Sequence, residues 1–354
     1  MRALVVLDER WNSALTDLGL KVARAISEKC SVSVAAIPGF PAYRIAKELS
    51  FNVLPIEDPR KGLPFKAFFS FKRAVDSFRP HIVFTIRGDE MLFGALLKNR
   101  YGYRLFRLHG QAKGVRNTFL NRELHRRFVD GVIVSSRRLV NEVISPLPKI
   151  FIPGMVDTAV FKFSEEGRRK FREKFNVGKR KLIGVVGRLD PVKGHRLFLK
   201  ALSLLKRDDF LAVIVGEEKN EKLKDLKDLA KTLGVSQKVV FIPDRISPIS
   251  HFMSACDLAV VPSVGSEVIV RAPLEFMACR TAVVSTNVGA LPEVILPPYG
   301  ITVPPDEHSL SEAIDRFLSK DLDKLGKIAQ EVADEKFSFK TLSPAVCRFV
   351  CGRV

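Results

Sequence analysis

Short apolar runs alternate with helical segments along almost the whole chain, and this alternation limits the fold more than any other feature. Apolar runs that predict buried strands lie at residues 3–7, 32–37, 82–85, 104–108, 132–134, 182–186, 211–215, 239–242, 258–261 and 282–285. Between them leucine, isoleucine and valine recur at helical spacing, as over residues 13–28. Repeated βα units predict parallel, doubly wound sheets and therefore an α/β fold.

The length of the chain indicates two such sheets. A chain of 354 residues exceeds what one hydrophobic core usually organises. The sequence Ile-Pro-Gly-Met-Val-Asp at 152–157, followed by the polar and basic stretch 162–180, predicts the junction. Two Rossmann-like domains are therefore expected, and ligands of such sheets bind outside the carboxyl ends of the strands.

Composition is typical of a globular protein, with 46% hydrophobic and 27% charged residues. The apolar runs are far shorter than the ~20 residues of a membrane-spanning helix. The first run meets Asp8 and Glu9 at once, so we expect no signal peptide and a cytoplasmic location. The 5 cysteines are odd in number and scattered, which argues against a disulfide framework or a zinc site. We interpret Cys347 and Cys351 as small apolar residues on a buried helix face.

The formal net charge of +19 predicts anionic partners. Nucleic acid, acidic lipid headgroups and phosphorylated substrates are all compatible with it, and charge alone does not choose among them. A lysine-rich surface of the kind seen in heat-stable proteins would give the same charge without any partner.

A phosphate-binding pattern follows the strand predicted at residues 182–186. Gly187 and Arg188 come directly after that strand, Lys193 and Gly194 follow, and a helix is predicted to start near His195. Backbone N–H groups at a helix start favour phosphate, and two positioned cations would complete a diphosphate clamp. The alternative is an ordinary βα loop with solvated charges.

Two carboxylates eight positions apart follow the strand predicted at residues 258–261. Pro273 would break a helix interior, so it is predicted to lie in a first turn, with Glu267 in the loop before it and Glu275 near the helix start. If the whole stretch were helical, the two would be ~12 Å apart along its axis, beyond the ~5–9.5 Å of glycosidase acid and base pairs. The spacing favours two contact points on one long ligand, such as the hexose and the ribose of a sugar nucleotide. The alternative is a capping carboxylate and a surface glutamate.

These segments together resemble glycosyltransferase family 4, the retaining enzymes of the GT-B fold. The resemblance depends on Gly187-Arg188 with Lys193-Gly194, on Glu267 and Glu275 with Phe-Met-Ala-Cys at 276–279, and on Asn-Val-Gly-Ala-Leu-Pro-Glu-Val at 287–294. Residues 300–305 also fit, and the match extends loosely to Leu-His-Gly at 108–110. It implies two Rossmann-like domains that face each other across a cleft. Their expected extents are residues 1–155, with 337–354 packing back on them, and residues 156–336.

The resemblance also implies roles for single residues. Arg188 and Lys193 would hold the donor diphosphate and stabilise the leaving group, with Gly187 in the same loop. Glu267 would contact the donor sugar and Glu275 the ribose hydroxyls. Further implied site residues are Arg245, which would border the base, and His109, which would lie near the donor sugar.

The implied reaction is transfer from a nucleoside-diphosphate sugar with retention of configuration. We expect no cofactor and no metal, because side chains and helix ends would neutralise the phosphate charge. The sequence Gly265-Ser-Glu267 with Arg271 is similar to that of family members that build bacterial lipopolysaccharide and surface glycans. This similarity implies a glycan or lipid-linked acceptor. Departures from the family pattern lie at residues 8–13, where Gly-Gly is common, at 268–269 and at Arg280. They leave the sugar and the acceptor open.

Two basic stretches give a hypothesis for the acceptor side. Seven arginines and Lys113 crowd residues 100–127, and residues 61–78 mix phenylalanine with lysine and arginine. Such surfaces dock on anionic bilayers or phosphorylated lipids, so we expect a peripheral position on the inner membrane face. The alternative is that the phenylalanines face the core and the cations are solvated.

Two other functions fit parts of the pattern. Sugar-nucleotide epimerases share the GT-B architecture and would need no acceptor. Nucleic-acid binding would use the net charge, but no RNP, KH or zinc-finger pattern supports specific binding.

Overall fold

The computed structural model describes residues 1–61, 64–111, 114–244, 246–265 and 267–352, which form two compact units. Unit 1 comprises Met1–Met155 with Lys340–Val354, and unit 2 comprises Val156–Phe339. The sequence predicts the two changes of unit after residues 155 and 336, and the structure has them after residues 155 and 339. The basic stretch 162–180 lies inside unit 2, where it contains a helix.

Unit 1 contains a seven-stranded sheet in the order β3-β2-β1-β4-β5-β6-β7, in which every neighbouring pair is parallel. Its strands are β1 Arg2–Leu7, β2 Ser31–Ala36, β3 Asn52–Pro55, β4 Ile82–Thr85, β5 Arg104–His109, β6 Gly131–Val134 and β7 Lys149–Phe151. Parallel pairing on both sides buries the central strands completely, as in β1 from Ala3 to Leu7.

Helices connect the strands of unit 1. They are α1 Ala14–Ser27, α2 Pro41–Glu48, α3 Pro64–Phe78, α4 Gly88–Tyr101 and α5 Phe119–Phe128. Helix α1 begins after Ser13, whose hydroxyl accepts a hydrogen bond from the Thr16 amide at 3.1 Å, the usual role of an N-cap serine. This confirms the helix predicted over residues 13–28.

Unit 2 contains a six-stranded parallel sheet in the order β10-β9-β8-β11-β12-β13. Its strands are β8 Lys181–Val186, β9 Phe210–Val215, β10 Val239–Ile242, β11 Leu258–Val261, β12 Ala282–Thr286 and β13 Gly300–Val303. Its helices are α6 Glu165–Lys174, α7 His195–Ser203, α8 Leu223–Thr232, α9 Ile249–Ala255, α10 Ala272–Ala278, α11 Leu291–Val294, α12 Glu307–Leu318 and α13 Leu322–Val332. Helix α14, Phe339–Cys351, returns the chain to unit 1.

Alternate residues of the central strands of unit 2 face opposite layers of helices. Leu211, Val213 and Val215 of β9 join one buried cluster, while Ala212 and Ile214 join the other. This alternation is the two-residue period of a strand, and apolar residues at every position satisfy both faces.

The sequence missed three strands, and all three lie at sheet edges. β3 and β7 are the outer strands of unit 1, and β13 is an outer strand of unit 2. Their residues are mostly half-buried or exposed, because an edge strand packs against fewer neighbours. They therefore lack the continuous apolar run that marks a central strand. The ten predicted strands are confirmed, with ends within one residue.

No helix in the part of the chain that the structure describes is long and apolar enough to cross a membrane.

The chain enters and leaves unit 2 along one backbone ladder. The Val156 amide donates to the Phe337 carbonyl at 3.0 Å, and the Phe339 amide donates to the Val156 carbonyl at 2.7 Å. The two connections of unit 2 therefore lie side by side.

Asp257, just before β11, fixes helix α6 to the sheet of unit 2. Its carboxylate accepts hydrogen bonds from Arg168 at 2.6 Å, Arg172 at 2.9 Å and the Leu182 amide at 2.7 Å. Burial raises the pKa of Asp257, but the two guanidinium groups and the amide outweigh it, so the pKa lies below its ordinary value.

We expect Asp257→Ala to lower the free energy of unfolding by about 3 kcal/mol at pH 7, because it leaves two partly buried arginines without their carboxylate. A carboxylate with a lowered folded-state pKa stabilises the fold above its unfolded pKa of about 3.9 and loses this effect as pH falls through the folded value. The difference between wild type and variant should therefore shrink in acid, as measured by urea unfolding.

The matched control is Asp315→Ala, which removes an exposed partner of Arg207. It should change the free energy of unfolding by less than about 1 kcal/mol. Equal losses in both variants would contradict the assigned role of Asp257.

Candidate functional site

The centre of the unit 2 sheet is a topological switch point. β8 and β11 are neighbours, and the chain runs outward from them in opposite directions, through β9 and β10 on one side and through β12 and β13 on the other. Loops diverge at such a point and leave room for a ligand at the carboxyl ends of the strands. Gly187, Arg188 and Lys193 follow β8, and Glu267 and Glu275 follow β11.

Asp190 organises the loop after β8. It caps the 3₁₀ turn Pro191–Lys193 by accepting from the Val192 amide at 3.2 Å, and its second oxygen accepts from Arg188 Nε at 3.2 Å and Asn220 Nδ2 at 2.9 Å. Burial raises the pKa of Asp190, but these hydrogen bonds and the Arg188 charge outweigh it, so the pKa lies below its ordinary value. Asp190 is therefore a carboxylate that directs the Arg188 side chain.

His195 fixes the backbone at Arg188. It is the first residue of α7, is fully buried, and places Nε2 3.0 Å from the Arg188 carbonyl oxygen. Because a carbonyl oxygen can only accept, Nε2 carries the proton. Burial lowers the pKa of His195, which keeps the ring neutral. No side chain among the described residues caps α7, so its first N–H groups are available to an anion.

The loops after β8 and β11 touch backbone to backbone. Gly194 has φ +70°, and a Cβ atom there would lie 1.9 Å from the Pro262 carbonyl oxygen. The Val264 amide donates to the Val192 carbonyl at 2.9 Å. Glycine is required at position 194 by both conformation and space.

Lys193 and Glu267 meet across these loops. Their side chains form an ion pair, and Ser263 Oγ donates to the same Glu267 oxygen, Oε1, at 2.6 Å. Glu267 is buried, whereas Lys193 is half-buried. Two of the predicted site residues are therefore in direct contact at the switch point.

The loop after β12 contacts the backbone of Glu267. The Ala290 amide donates to the Glu267 carbonyl at 2.7 Å. Gly289 has φ +60°, and a Cβ atom there would lie 2.2 Å from the same carbonyl oxygen. Backbone contacts from the loops after β8 and β12 thus fix the loop that carries Glu267.

Glu275 lies in helix α10, which begins at Ala272 with Pro273 in its first turn, as predicted. Glu275 is buried and accepts from Arg271 Nε at 2.9 Å. Because the helix begins only at Ala272, Glu267 belongs to the loop, and the axial spacing for a wholly helical stretch does not apply.

His109 ends strand β5 in unit 1. It is 1% exposed, and neither ring nitrogen has a hydrogen-bond partner among the described residues. Burial, together with the nearby Arg107 and His125, lowers its pKa to about 3. His109 is therefore a neutral imidazole at physiological pH. Arg107 Nη1 lies 2.6 Å from His125 Nε2, so Arg107 is directed toward His125.

The switch point of unit 1 lies between β1 and β4 and carries a buried charge cluster. Arg87 pairs with Glu9 at 2.9 Å and with Asp8 at 3.4 Å. The Asp8 amide donates to Glu90 at 2.9 Å. Burial raises the pKa of both Asp8 and Glu90. This cluster occupies the loop where the sequence departs from the Gly-Gly pattern.

The structure does not test two of the residues named in the sequence analysis. Arg245 lies outside the described residues, and so does Lys113 of the basic stretch. The sequence analysis missed Asp190, Ser263 and Gly289. Asp190 had a usable signal, because aspartate before proline is typical of an N-cap. Ser263 and Gly289 act through contacts between loops far apart in sequence, which no local pattern reveals.

Residues 167–333 match the family model of glycosyl transferases group 1. The chain is 32% identical over 157 residues to a GDP-mannose-dependent α-(1-6)-phosphatidylinositol monomannoside mannosyltransferase of Mycolicibacterium smegmatis, covering 41% of this chain and 40% of that one. It is 31% identical over 215 residues to the lipopolysaccharide core biosynthesis mannosyltransferase LpcC of Rhizobium leguminosarum, covering 59% of each. The chain thus spans about half the length of these relatives.

A solved structure, Anabaena Alr3699/HepE in complex with UDP, superposes with a TM-score of 0.86 at 18% identity and covers 100% of both chains. At this identity the likeness shows the fold. With the two parallel sheets, it confirms the predicted GT-B fold class, two Rossmann-like units in one chain.

We expect buried His109 to make the fold sensitive to mild acid. Its folded pKa of about 3 lies below the unfolded value of about 6.5, so stability is complete above about pH 6.5 and is lost as pH falls toward 3. Between pH 7 and pH 5 the wild type should lose about 2 kcal/mol more than His109→Asn in urea unfolding. His308→Asn, at an exposed histidine, should keep the wild-type loss. If His109→Asn lost as much free energy of unfolding between pH 7 and pH 5 as the wild type, His109 would not be a buried neutral imidazole.

Proposed function

We propose that this protein is a retaining glycosyltransferase. It moves a sugar from a nucleoside-diphosphate sugar to a glycan or lipid-linked acceptor of the lipopolysaccharide type. The proposal starts from the match of residues 167–333 to the family model of glycosyl transferases group 1. The observation that carries the proposal is the meeting of Lys193 and Glu267, with Arg188 on the same loop, at the switch point of the unit 2 sheet.

The loop after β8 has hydrogen-bond donors that could bind a diphosphate. Among the described residues Asp190 is the partner of the Arg188 side chain, and it engages only Nε. Guanidinium has five N–H donors, and 47% of the Arg188 side chain is exposed. Lys193 has three N–H donors and can keep Glu267 while it binds phosphate. The uncapped start of α7 adds backbone N–H groups with a favourable dipole.

Paired carboxylates keep this loop ready without the donor. Asp190 and Glu267 neutralise Arg188 and Lys193 while leaving each cation hydrogen-bonding capacity. Such positioning lowers the reorganisation needed when negative charge develops on the leaving group.

In the proposed reaction the bond between the sugar C1 and the diphosphate oxygen breaks, and its electron pair leaves with the diphosphate. The acceptor hydroxyl oxygen forms the new bond to C1 on the same face, and its proton passes to the departing phosphate. Arg188 and Lys193 stabilise the negative charge on that leaving group. Glu267 contacts the donor sugar, Glu275 the ribose hydroxyls, and His109 the sugar as a neutral hydrogen-bonding group.

The relatives support the substrate classes. The two similar sequences are named mannosyltransferases, one GDP-mannose-dependent and one of lipopolysaccharide core biosynthesis, and the superposed structure contains UDP. The proposal therefore includes a nucleotide-sugar donor and a glycan acceptor, without a cofactor or a metal.

We expect Arg188→Ala and Lys193→Ala each to weaken nucleoside diphosphate binding at least tenfold, because charge-assisted hydrogen bonds contribute about 1.5–3 kcal/mol. The measurement is calorimetric titration with UDP and GDP in EDTA, since the proposal gives charge neutralisation to side chains. Lys200→Ala, an exposed lysine on α7, is the control and should bind as wild type. Unchanged affinity in both site variants would contradict the clamp.

Product analysis separates transfer from the two other functions. A sugar-nucleotide epimerase would change the donor without an acceptor, which NMR of the donor would reveal. A nucleic-acid-binding protein would show a gel shift and no donor binding. Retention is tested by the anomeric configuration of the glycosylated product.

A lipid-linked acceptor would bring unit 1 to a membrane, and unit 1 has a surface suited to it. Helices α3, α4 and α5 pack side by side and together bear six exposed large apolar side chains. This α3–α5 face consists of Phe65, Phe69, Leu92, Leu96, Phe119 and Leu120. Phe71, on the inner side of α3, is buried in the core. The phenylalanines of residues 61–78 therefore divide between the two sides of α3: some are exposed, as a docking surface requires, and Phe71 faces the core.

The helices of the α3–α5 face also carry exposed cations. Arg126 and Arg127 are exposed on α5 and share one acidic partner, Glu123. Exposed Arg100, Arg116 and Lys66 lie on or beside the same helices. Exposed apolar side chains together with cations suit binding to a bilayer of anionic lipids. We propose that the α3–α5 face binds such a bilayer.

We expect the protein to bind phosphatidylcholine vesicles only when they contain phosphatidylglycerol. Phe119→Ser with Leu120→Ser should weaken binding about tenfold or more, since burying each side chain contributes about 1.5–3 kcal/mol. Arg126→Gln with Arg127→Gln should weaken it about tenfold, at about 1 kcal/mol per cation. Flotation of the vesicles gives the bound fraction.

The controls lie in unit 2. Val160→Ser changes a side chain that is 61% exposed, and Arg169→Gln with Lys170→Gln removes two neighbouring exposed cations of α6. Both should bind as wild type. Equal binding to neutral and anionic vesicles, or equal loss in the controls, would contradict the docking face.

A further inference from the structure

Three cysteine side chains meet in unit 1, where sequence spacing alone indicated only buried apolar residues. Cys30 lies just before β2, and Cys347 and Cys351 lie one turn apart on helix α14. All three are buried. Cys30 Sγ is 3.2 Å from Cys351 Sγ, although the two residues are 321 positions apart in the chain.

Other contacts of α14 hold this sulfur pair in place. Ser343 Oγ donates a hydrogen bond to Glu28, two residues before Cys30. Phe349 packs edge-on against Phe106 of β5, with ring centroids 5.7 Å apart. Val350, beside Cys351, is fully buried. The approach of the two sulfurs is therefore part of a packed helix–sheet contact.

We propose that Cys30 and Cys351 form a disulfide when the protein meets a small disulfide oxidant such as glutathione disulfide. The sulfurs of a disulfide lie about 2.05 Å apart, so closure requires a movement of about 1 Å in side chains already in contact. The inference does not depend on the proposed function.

The exchange has two steps. The Cys351 thiolate attacks glutathione disulfide, forms a mixed disulfide and releases one glutathione thiolate. The Cys30 thiolate then attacks the Cys351 sulfur and displaces the second glutathione. Two protein thiols lose two protons and two electrons, and one glutathione disulfide becomes two glutathione molecules.

Burial controls the rate of this exchange. It raises the pKa of the Cys351 and Cys347 thiols, so little thiolate exists in the closed structure. Cys351 is the last residue of α14, and helix ends fray. Attack should therefore follow local opening of the last turn and should be faster at alkaline pH.

The bridge would tie α14 to the body of unit 1. It would close a covalent loop that contains all of unit 2, and long closed loops lose the most chain entropy on cross-linking in the denatured state. The oxidised protein should accordingly unfold at a higher urea concentration than the reduced protein.

The test uses the full chain incubated in glutathione disulfide, blocked with N-ethylmaleimide and digested for mass spectrometry. We expect one intramolecular cross-link, between the peptides of Cys30 and Cys351, with a higher urea midpoint that dithiothreitol reverses. Cys30→Ala should abolish both effects. Cys347→Ala, in the same cluster, and Cys256→Ala, a buried cysteine of unit 2, should retain them.

Absence of the Cys30–Cys351 peptide from the oxidised wild type would overturn the proposal, as would a cross-link that joins Cys30 to Cys347 instead. Persistence of the midpoint shift in Cys30→Ala would also overturn it, because that shift would then come from another cysteine. Reduced samples of each variant, unfolded in parallel, show whether the substitution itself alters the fold.

Discussion

Close backbone contact between loops is the constraint on which the rest of unit 2's site depends. The Gly194 backbone lies against the Pro262 carbonyl, and Gly289 lies against the Glu267 carbonyl, each at a distance that excludes any side chain. These contacts join the loops after β8, β11 and β12, which the sheet order places next to one another. Lys193 and Glu267 can meet only because the backbones carrying them are held this close. Parallel strands supply the alignment, and glycine supplies the room.

Charge in the two units is arranged around their switch points in different ways. In unit 2 Arg188 and Lys193 each have a carboxylate partner yet keep donors for an anion. In unit 1 Arg87 is enclosed by Asp8 and Glu9, and the pKa values of Asp8 and Glu90 are raised by burial. At its switch point unit 2 therefore keeps donors for a ligand, while unit 1 pairs its charged groups there with one another. His109, a neutral imidazole, has no hydrogen-bond partner among the described residues and belongs to neither arrangement.

Much of the fold could be predicted from the sequence, because most central parallel strands contain a continuous apolar run, so that β1 or β9 can be recognised by inspection. The edge strands β3, β7 and β13 could not, since their half-exposed residues leave no such run, whereas the edge strand β10 has four apolar residues and was predicted. In the site, the cations and carboxylates could be named in advance from motif resemblance, whereas Ser263 and Gly289 depend on tertiary contacts. Helical periodicity placed phenylalanines on α3 but could not tell which would face water, because that depends on what packs against the helix. The meeting of Cys30 with Cys351 was hidden for the same reason.

The paired backbones at Val156 and Phe337–Phe339 make unit 2 an insertion whose two connections to the rest of the chain lie together. Tension applied between Met1 and Gly352 would enter unit 1 at both ends and would load its strands and α14 first. Unit 2 would bear no pull across its sheet until unit 1 had given way. The parallel bridge between Val156 and Ser338 would then be loaded along its length, with its two hydrogen bonds strained together. Mechanically, the half of the molecule that holds Arg188 and Lys193 is the sheltered half.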